Sequence, residues 1–207
     1  EMTRWRYAAS DNQGIETLKP AYRNRLDSHQ YFGTVTKDAD IQTLLPVFHW
    51  FTSSPNGAGT QTGSRGSVYY DGEFYDNVHF SIHGQSSSGF PKKSYNIDFN
   101  RTQRFRWSTN APRVADIDLL TNWADKSKVR HVLGWEVMRE SGVAAHFAYT
   151  VRVQQNGNFF STADFVEDGD EIYLERAGLN PEGVLYKVYA NQLNRDGADT
   201  PKSGVQT

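Results

Sequence analysis

From Leu45 onward the chain passes from a weakly patterned polar stretch into short apolar runs broken by turn residues, the pattern of β-strands. Residues 46–52 read as a buried strand and 53–66 as a Gly/Thr/Asn loop. Residues 68–70 and 73–75 flank Asp71-Gly72, a strong hairpin signal because both central positions of such a turn need positive φ. Residues 78–83 and 94–99 supply two more strands around a Ser-rich loop, and a loop runs on through Pro112. A second hairpin is predicted over 143–153 and 158–166, turning at Asn156-Gly157. The one strong helix spans 125–141, with Asp125 as N-cap and Gly142 just past its end. A short helix over 170–177 and a strand over 184–189 follow, and a short helix near 16–26 is expected within the polar first 43 residues. There is no internal repeat, and strands around one major helix predict an α+β fold.

Composition narrows the partners. The 207 residues contain no cysteine, which removes disulfides, zinc-thiolate sites and thiol nucleophiles. A formal charge of −2 gives no electrostatic footprint for nucleic acid or an anionic membrane. No apolar run reaches membrane-spanning length, so membrane insertion is not expected. The opening Glu1-Met2-Thr3-Arg4-Trp5-Arg6 lacks a signal-peptide core, and a chain opening on Glu1 reads as a processed or excised piece. The organisation expected is an N-terminal extension (1–43), a folded region (44–191) and a polar linker or the start of an insertion (192–207).

The segment His83-Gly84-Gln85-Ser86-Ser87-Ser88-Gly89-Phe90-Pro91-Lys92-Lys93-Ser94-Tyr95 has the makeup of a phosphate cradle. Gly84 and Gly89 can take positive φ, the hydroxyls of Ser86, Ser87 and Ser88 can face an anion, and Lys92 or Lys93 can neutralise it. A polar hairpin connection with lysines guarding a strand edge explains the same residues. Period-two alternation puts Lys93 on the face of Tyr95, Ile97 and Phe99, with Lys92 on the other. On the helix, at about 100° per residue, Val129, Val132, Leu133 and Val137 define an apolar arc with Glu136 in its middle and Glu140 beside it. A carboxylate there must be neutralised, paired with a cation, or at the rim.

Three segments in register resemble the spore-coat CotH-type kinase family over about residues 44–191: the Ser-rich turn before Lys92-Lys93-Ser94-Tyr95, the Asp125-x-Ser127-x-x-Arg130 segment opening a helix, and the Glu167-x-x-Asp170 pair leading to Leu185-Tyr186-Lys187. The resemblance implies a kinase-like small lobe, an antiparallel sheet packed on one main helix, and transfer of the ATP γ-phosphoryl to Ser or Thr of a protein substrate. It implies Lys93 as the phosphate-holding lysine and Glu136 as its orienting partner. Gly84, Ser86, Ser87, Ser88, Arg130, Glu167 and Asp170 join Lys93 in nucleotide binding. ATP and Mg²⁺ are the implied cofactors. No metal ligand is assigned within this chain, because the family's catalytic aspartate and its Pro-Trp-Asp-x-Asp segment lie downstream of Leu185-Tyr186-Lys187, and nothing before Thr207 resembles either. The enzyme reading therefore attaches to the complete protein, and this chain alone is expected to be inactive. A secreted or cell-envelope bacterial setting is expected.

The chain departs from the family pattern at His83, where arginine is usual, at His131, where asparagine is usual, and at Ser161 and Ala163. Blander readings stay open for several residues: a salt bridge from Arg130 to Asp125, and helix-dipole roles for Glu167 and Asp170. His79 and His83, i and i+4 on a strand, stand about 13 Å apart and cannot share an ion. Asp116 and Asp118 read as solvated charges in a connecting segment. The competing reading of the whole is a non-catalytic structural, adhesion or carbohydrate-binding module of a large bacterial surface protein.

Overall fold

The computed structural model describes residues 1–24, 26–36, 41–84, 86–187 and 200–201. Its centre is a closed barrel of seven strands: β5 (Val47–Thr52), β6 (Ser64–Tyr70), β7 (Glu73–His83), β8 (Ser94–Asp98), β9 (Asp116–Leu120), β10 (Ala148–Gln155) and β11 (Asn158–Glu167). The order around the barrel is β10-β11-β9-β8-β7-β6-β5. Every pairing is antiparallel except the closing one, where β5 runs parallel to β10 with Val47 opposite Arg152. Before the barrel come two ribbons, β1 (Met2–Trp5) with β4 (Phe32–Val35), and β2 (Tyr7–Ser10) with β3 (Glu16–Lys19).

Closure follows from alternation. One face of each strand is apolar, and joining the two sheet edges lets all these faces share one interior with no free edge. Phe48, Trp50, Val68, Val78, Phe80, Ile97, Ile117, Leu119, Val151 and Phe165 fill it, all essentially solvent-free. Phe105, from the long connection between β8 and β9, plugs the interior. It bridges to Val114 through paired backbone bonds and stacks on Phe99 at 4.7 Å. Glu73 ties that connection down by accepting from Arg106 and Arg113.

The hairpin signals hold. Asp71 and Gly72 have φ of 45° and 86°, and Asn156 and Gly157 have 51° and 86°. Asn156 also staples its hairpin to β5, accepting from the Thr52 amide and donating to the Thr52 carbonyl. Gly66 lies so close to β5 that a Cβ there would sit 1.9 Å from the Phe51 carbonyl oxygen. The antiparallel pairing of 78–83 with 94–99 is present as β7 with β8.

The α+β, kinase-like small lobe is corrected. The fold is mostly β, and no helix covers the apolar face of the sheet, because barrel closure has already buried it. The main helix, α2 (Arg130–Glu140), follows a short α1 (Pro55–Ala58) and lies outside the barrel against β10, with no buried residue. Leu133, Val137 and Met138 are exposed on it. The helix also starts later than predicted. Asp125 precedes it and accepts from the Arg130 amide at 2.9 Å and from the hydroxyl and amide of Ser127 at 2.7 and 2.9 Å, which holds its carboxyl down at about 2. The helix expected near 16–26 is replaced by β3, whose residues pair with β2. The short helix at 170–177 is present as α3 (Glu171–Arg176), capped by Asp170. Of the strand at 184–189, only Tyr186–Lys187 is a described strand, paired with Thr200–Pro201. The expected linker at 192–207 otherwise lies outside the described residues.

Candidate functional site

Because the apolar sides point inward, the polar sides of β7, β8, β9 and β11 form a grid on the barrel's outer face. Cross-strand register sets Ser81, Asn96, Asp118 and Val166 side by side. His83 and Asp164 lie toward one end of this grid, and His79, Asp98 and Asp116 toward the other. The segment expected to be a connecting loop at Asp116 is strand β9. α2 and α3 stand beside the grid and convert it into a cleft of about 560 Å³ walled by His83, Asp118, His131, Trp135, Asp168 and Tyr173, among others. That volume falls within the ~300–1,000 Å³ of small-ligand sites.

Behind His131 of the cleft wall lies Asp164, which is 1% exposed. Its Oδ1 accepts from Asn122 Nδ2 at 3.4 Å and from the Thr150 hydroxyl at 3.3 Å. His131 Nδ1 lies 3.4 Å from Oδ2. Trp135 Nε1 donates to His131 Nε2 at 3.0 Å, which leaves the proton of a neutral His131 on Nδ1, facing Asp164. Asn122 relays the carboxylate outward, its Oδ1 accepting from Lys92 Nζ at 2.5 Å. Burial, and next the neighbouring Lys128 ammonium, lower the Lys92 pKa, while Asp164 opposes them.

The other end is acidic. Burial, and then Asp168, Asp98, Asp118 and Asp170, push the Asp116 carboxyl up to about 7. At this end His79 Nδ1 sits 3.0 Å from Asp98 Oδ2, and between the two ends His83 Nδ1 sits 3.0 Å from Asp118 Oδ1. His146 lies stacked on Tyr173 at 4.6 Å and edge-on to Trp135 at 5.0 Å. Among the described residues no three His, Asp or Glu side chains converge to hold a metal ion. They do not fit Mg²⁺ by themselves.

The residues singled out in the sequence do not all gather here. Lys93 and Glu136 are not brought together: Lys93 Nζ donates to the Ser88 carbonyl at 2.7 Å, and Glu136 is exposed on α2. Gly84 has the expected positive φ, 91°, whereas Gly89 does not. Ser86–Gly89 forms a single 3₁₀ turn. The Ser86 side chain lies outside the description. Gly84 is fixed by contact as well as by φ, since a Cβ there would meet Ser87 Oγ at 2.2 Å. Arg130 is largely exposed, 3.6 Å from Asp125. Asp170 caps α3 by accepting from the Tyr173 amide at 3.0 Å, and burial raises its pKa. Glu167 lines the cleft, yet it is buried and both its oxygens are engaged by Arg176.

Asn122, Asp164 and the linking role of Lys92 escaped the sequence reading. Alternation in Ala163-Asp164-Phe165-Val166 would have turned Asp164 outward from the core. Its burial beneath His131 has no local signal.

An all-β barrel carrying a polar, ligand-sized cleft on its outer face is the class of protein this geometry defines. A family model described as CotH kinase protein matches residues 80–206, so the chain belongs to the CotH family. A search of curated proteins returned no match. The matched span covers β8 to β11, α2, α3 and nearly all of the cleft. The N-terminal ribbons and β5 and β6 precede it. No helix of the described residues is long and apolar enough to cross a membrane.

Proposed function

We propose that the outer-face cleft binds ATP and that the complete protein transfers its γ-phosphoryl to Ser or Thr hydroxyls of a protein substrate. The observation that carries the reading is the tether from Lys92 through Asn122 to buried Asp164, next to the turn that follows Gly84. Phosphoryl transfer is catalysed almost wholly by positioning and by charge stabilisation. A lysine held by an amide, with no carboxylate in salt-bridge contact among the described residues, keeps its charge available to phosphate. Asn122 fixes its direction, Asp164 supplies the balancing negative charge, and the His131 ring stands 3.4 Å from the second oxygen of Asp164.

Lys92 takes the phosphate role in this reading rather than Lys93, because Lys92 is tied through Asn122 to Asp164, beside which His131 of the cleft wall also stands. The acidic end of the cleft would repel phosphates and suits the hydroxyl and amino groups of the nucleoside. ATP fits the residues on these terms. When bound, it supplies the transferable phosphoryl group, and the chain's own residues hold and orient it. The test is equilibrium binding of a fluorescent ATP analogue to the purified chain. Saturable binding lost in Lys92→Met is the expected result, and binding unaffected by Lys92→Met and Asp164→Asn overturns the assignment.

A further inference from the structure

A separate cavity of about 260 Å³ lies where the segment leading into β5 meets β5, the end of β6 and the β6–β7 turn. All its lining residues fall between 41 and 71, so it precedes the family-matched span and shares no residue with the cleft. Its inner wall is apolar and aromatic. Leu45 and Val47 line it together with Tyr69 and with His49, which is 6% exposed and stands edge-on to Tyr69 at 6.0 Å. Register brings those two rings together, since His49 of β5 lies opposite Tyr69 of β6.

The mouth is different. Among the described residues Asp71, exposed on the β6–β7 turn, is the only carboxylate that lines the cavity, and no lysine or arginine lines it. Nor does Asp71 form a salt bridge among the described residues. Burial first, and the Asp71 charge after it, raise the pKa of Tyr70 and of Tyr149, whose hydroxyls pair at 2.9 Å. Tyr70 lines the cavity, so the carboxylate's field falls on its wall. Thr43 is also exposed at the mouth, its hydroxyl oxygen accepting from the Leu45 amide at 3.0 Å.

A ligand that suits both parts carries one positive charge at the end of a short apolar body. We propose that this cavity is a binding site for a small primary alkylamine, its ammonium at Asp71 and its hydrocarbon tail inserted against Leu45, Val47 and Tyr69. The direction of insertion sets the class. Because the carboxylate is at the mouth and none lies within, a lysine side chain, whose ammonium leads, or a diamine would carry an unpaired charge into the apolar part. The volume lies below the ~300–1,000 Å³ of larger small-molecule sites, which keeps the ligand short. Tyr69 adds an aromatic surface for the cation. The site does not rest on the nucleotide reading.

The experiment is titration of the full chain with n-alkylamines from ethylamine to hexylamine, followed by amide chemical shifts. Hexylamine should saturate with shifts at Val47, His49, Tyr69 and Asp71, and affinity should rise roughly fourfold for each methylene that enters the cavity. Asp71→Asn should weaken hexylamine roughly three- to fivefold, the range of an exposed ion pair. Asparagine keeps the turn, because Asn-Gly takes the same positive-φ geometry. Hexan-1-ol, which has the tail without the charge, should bind the unmutated chain and the variant alike. Absence of saturable hexylamine binding, unchanged binding in Asp71→Asn, or shifts confined to His131 and Trp135 overturns the proposal. So does hexane-1,6-diamine or a capped lysine that binds more tightly than hexylamine, and both comparisons need only the unmutated chain.

Discussion

Arg176 holds Glu167 with two guanidinium nitrogens, Nε on Oε2 at 2.8 Å and Nη2 on Oε1, and so clamps α3 onto the end of β11. Glu167 is 3% exposed, and its Oε1 also accepts from the Phe147 amide at 2.6 Å. Arg176 Nη2 reaches the Ala145 carbonyl at 2.7 Å, so one pair joins three segments around the cleft. The acidic residue that marks the family's Glu-x-x-Asp pair here builds the cleft wall. Removing the arginine strands a buried carboxylate, which costs about 3–5 kcal/mol. Arg176→Ala should lower the denaturation free energy by that amount in urea titration. A loss under about 1 kcal/mol, typical of an exposed pair, would show that solvent screens the contact.

The closed barrel and the helix-covered sheet differ in where they put their stability. In the barrel, Phe105 is a solvent-free plug touching Phe48, Tyr70, Tyr75, Phe99 and Phe165, while Leu133 on α2 is 50% exposed. Phe105→Ala should cost about 3–5 kcal/mol. Leu133→Ala should stay within about 0.5 kcal/mol. Comparable losses from both would restore the helix as part of the core.

Sequence reading succeeded where the chemistry is local and failed where it depends on closure. Asp71-Gly72 and Asn156-Gly157 announce their turns because few residues tolerate positive φ, and Asp170 announces α3 because its carboxylate can take an orphan amide. The parallel pairing of β5 with β10 has no such signal, being made between segments about a hundred residues apart. That pairing decides the meaning of strand parity. Alternation puts Lys92 and Lys93 on opposite faces, yet both precede β8 and line one cavity, and alternation does not say that the apolar face becomes a sealed interior and the polar face the cleft. The same gap hid Phe105, which reads as loop, and left Glu136 looking inward on a helix that buries nothing.

Gly84 offers a narrow test of the turn. Its φ of 91° disfavours any side chain, and a Cβ would strike Ser87 Oγ. Gly84→Ala should cost at least about 1–2 kcal/mol, the usual penalty for left-handed backbone. It should also expose residues 86–89 to limited proteolysis. Wild-type cleavage kinetics in the variant would mean that the turn adapts freely.

Asp116 sets a pH dependence. Its folded-state pKa near 7 lies above the ordinary carboxylate value, so the folded chain favours the protonated form. At about pH 3 and below, both states carry the proton and the group is neutral toward stability. As pH rises from about 4 to 7 the unfolded chain ionises first, and the folded state loses stability progressively until the folded carboxyl ionises too. Asp116→Asn should therefore raise Tm at pH 8, by roughly 2–4 °C per kcal/mol relieved, and leave Tm near pH ~3 almost unchanged. An unchanged Tm at pH 8 would mean that the neighbouring carboxylates do not strain one another.

Lys92 and Lys93 differ in what they hold. Lys92 is held by Asn122 and balanced by Asp164, with a pKa already lowered by burial and by Lys128. Lys93 donates to the Ser88 carbonyl. A charge-assisted hydrogen bond to phosphate is worth about 1.5–3 kcal/mol, so Lys92→Met should weaken ATP binding by tenfold or more at ~1.4 kcal/mol per decade. Asp164→Asn should weaken it less, because the Asn122 contact can persist while the balancing charge is lost. Lys93→Met and Glu136→Gln should leave ATP affinity within about twofold, under ~0.5 kcal/mol. Since no described carboxylates converge on a metal, this chain with Mg²⁺ and ATP should bind nucleotide without labelling an acceptor protein. Radiolabel transfer by the chain itself would reveal catalytic groups outside the set named, and an ATP affinity lost in Lys93→Met but kept in Lys92→Met would hand the phosphate role to Lys93.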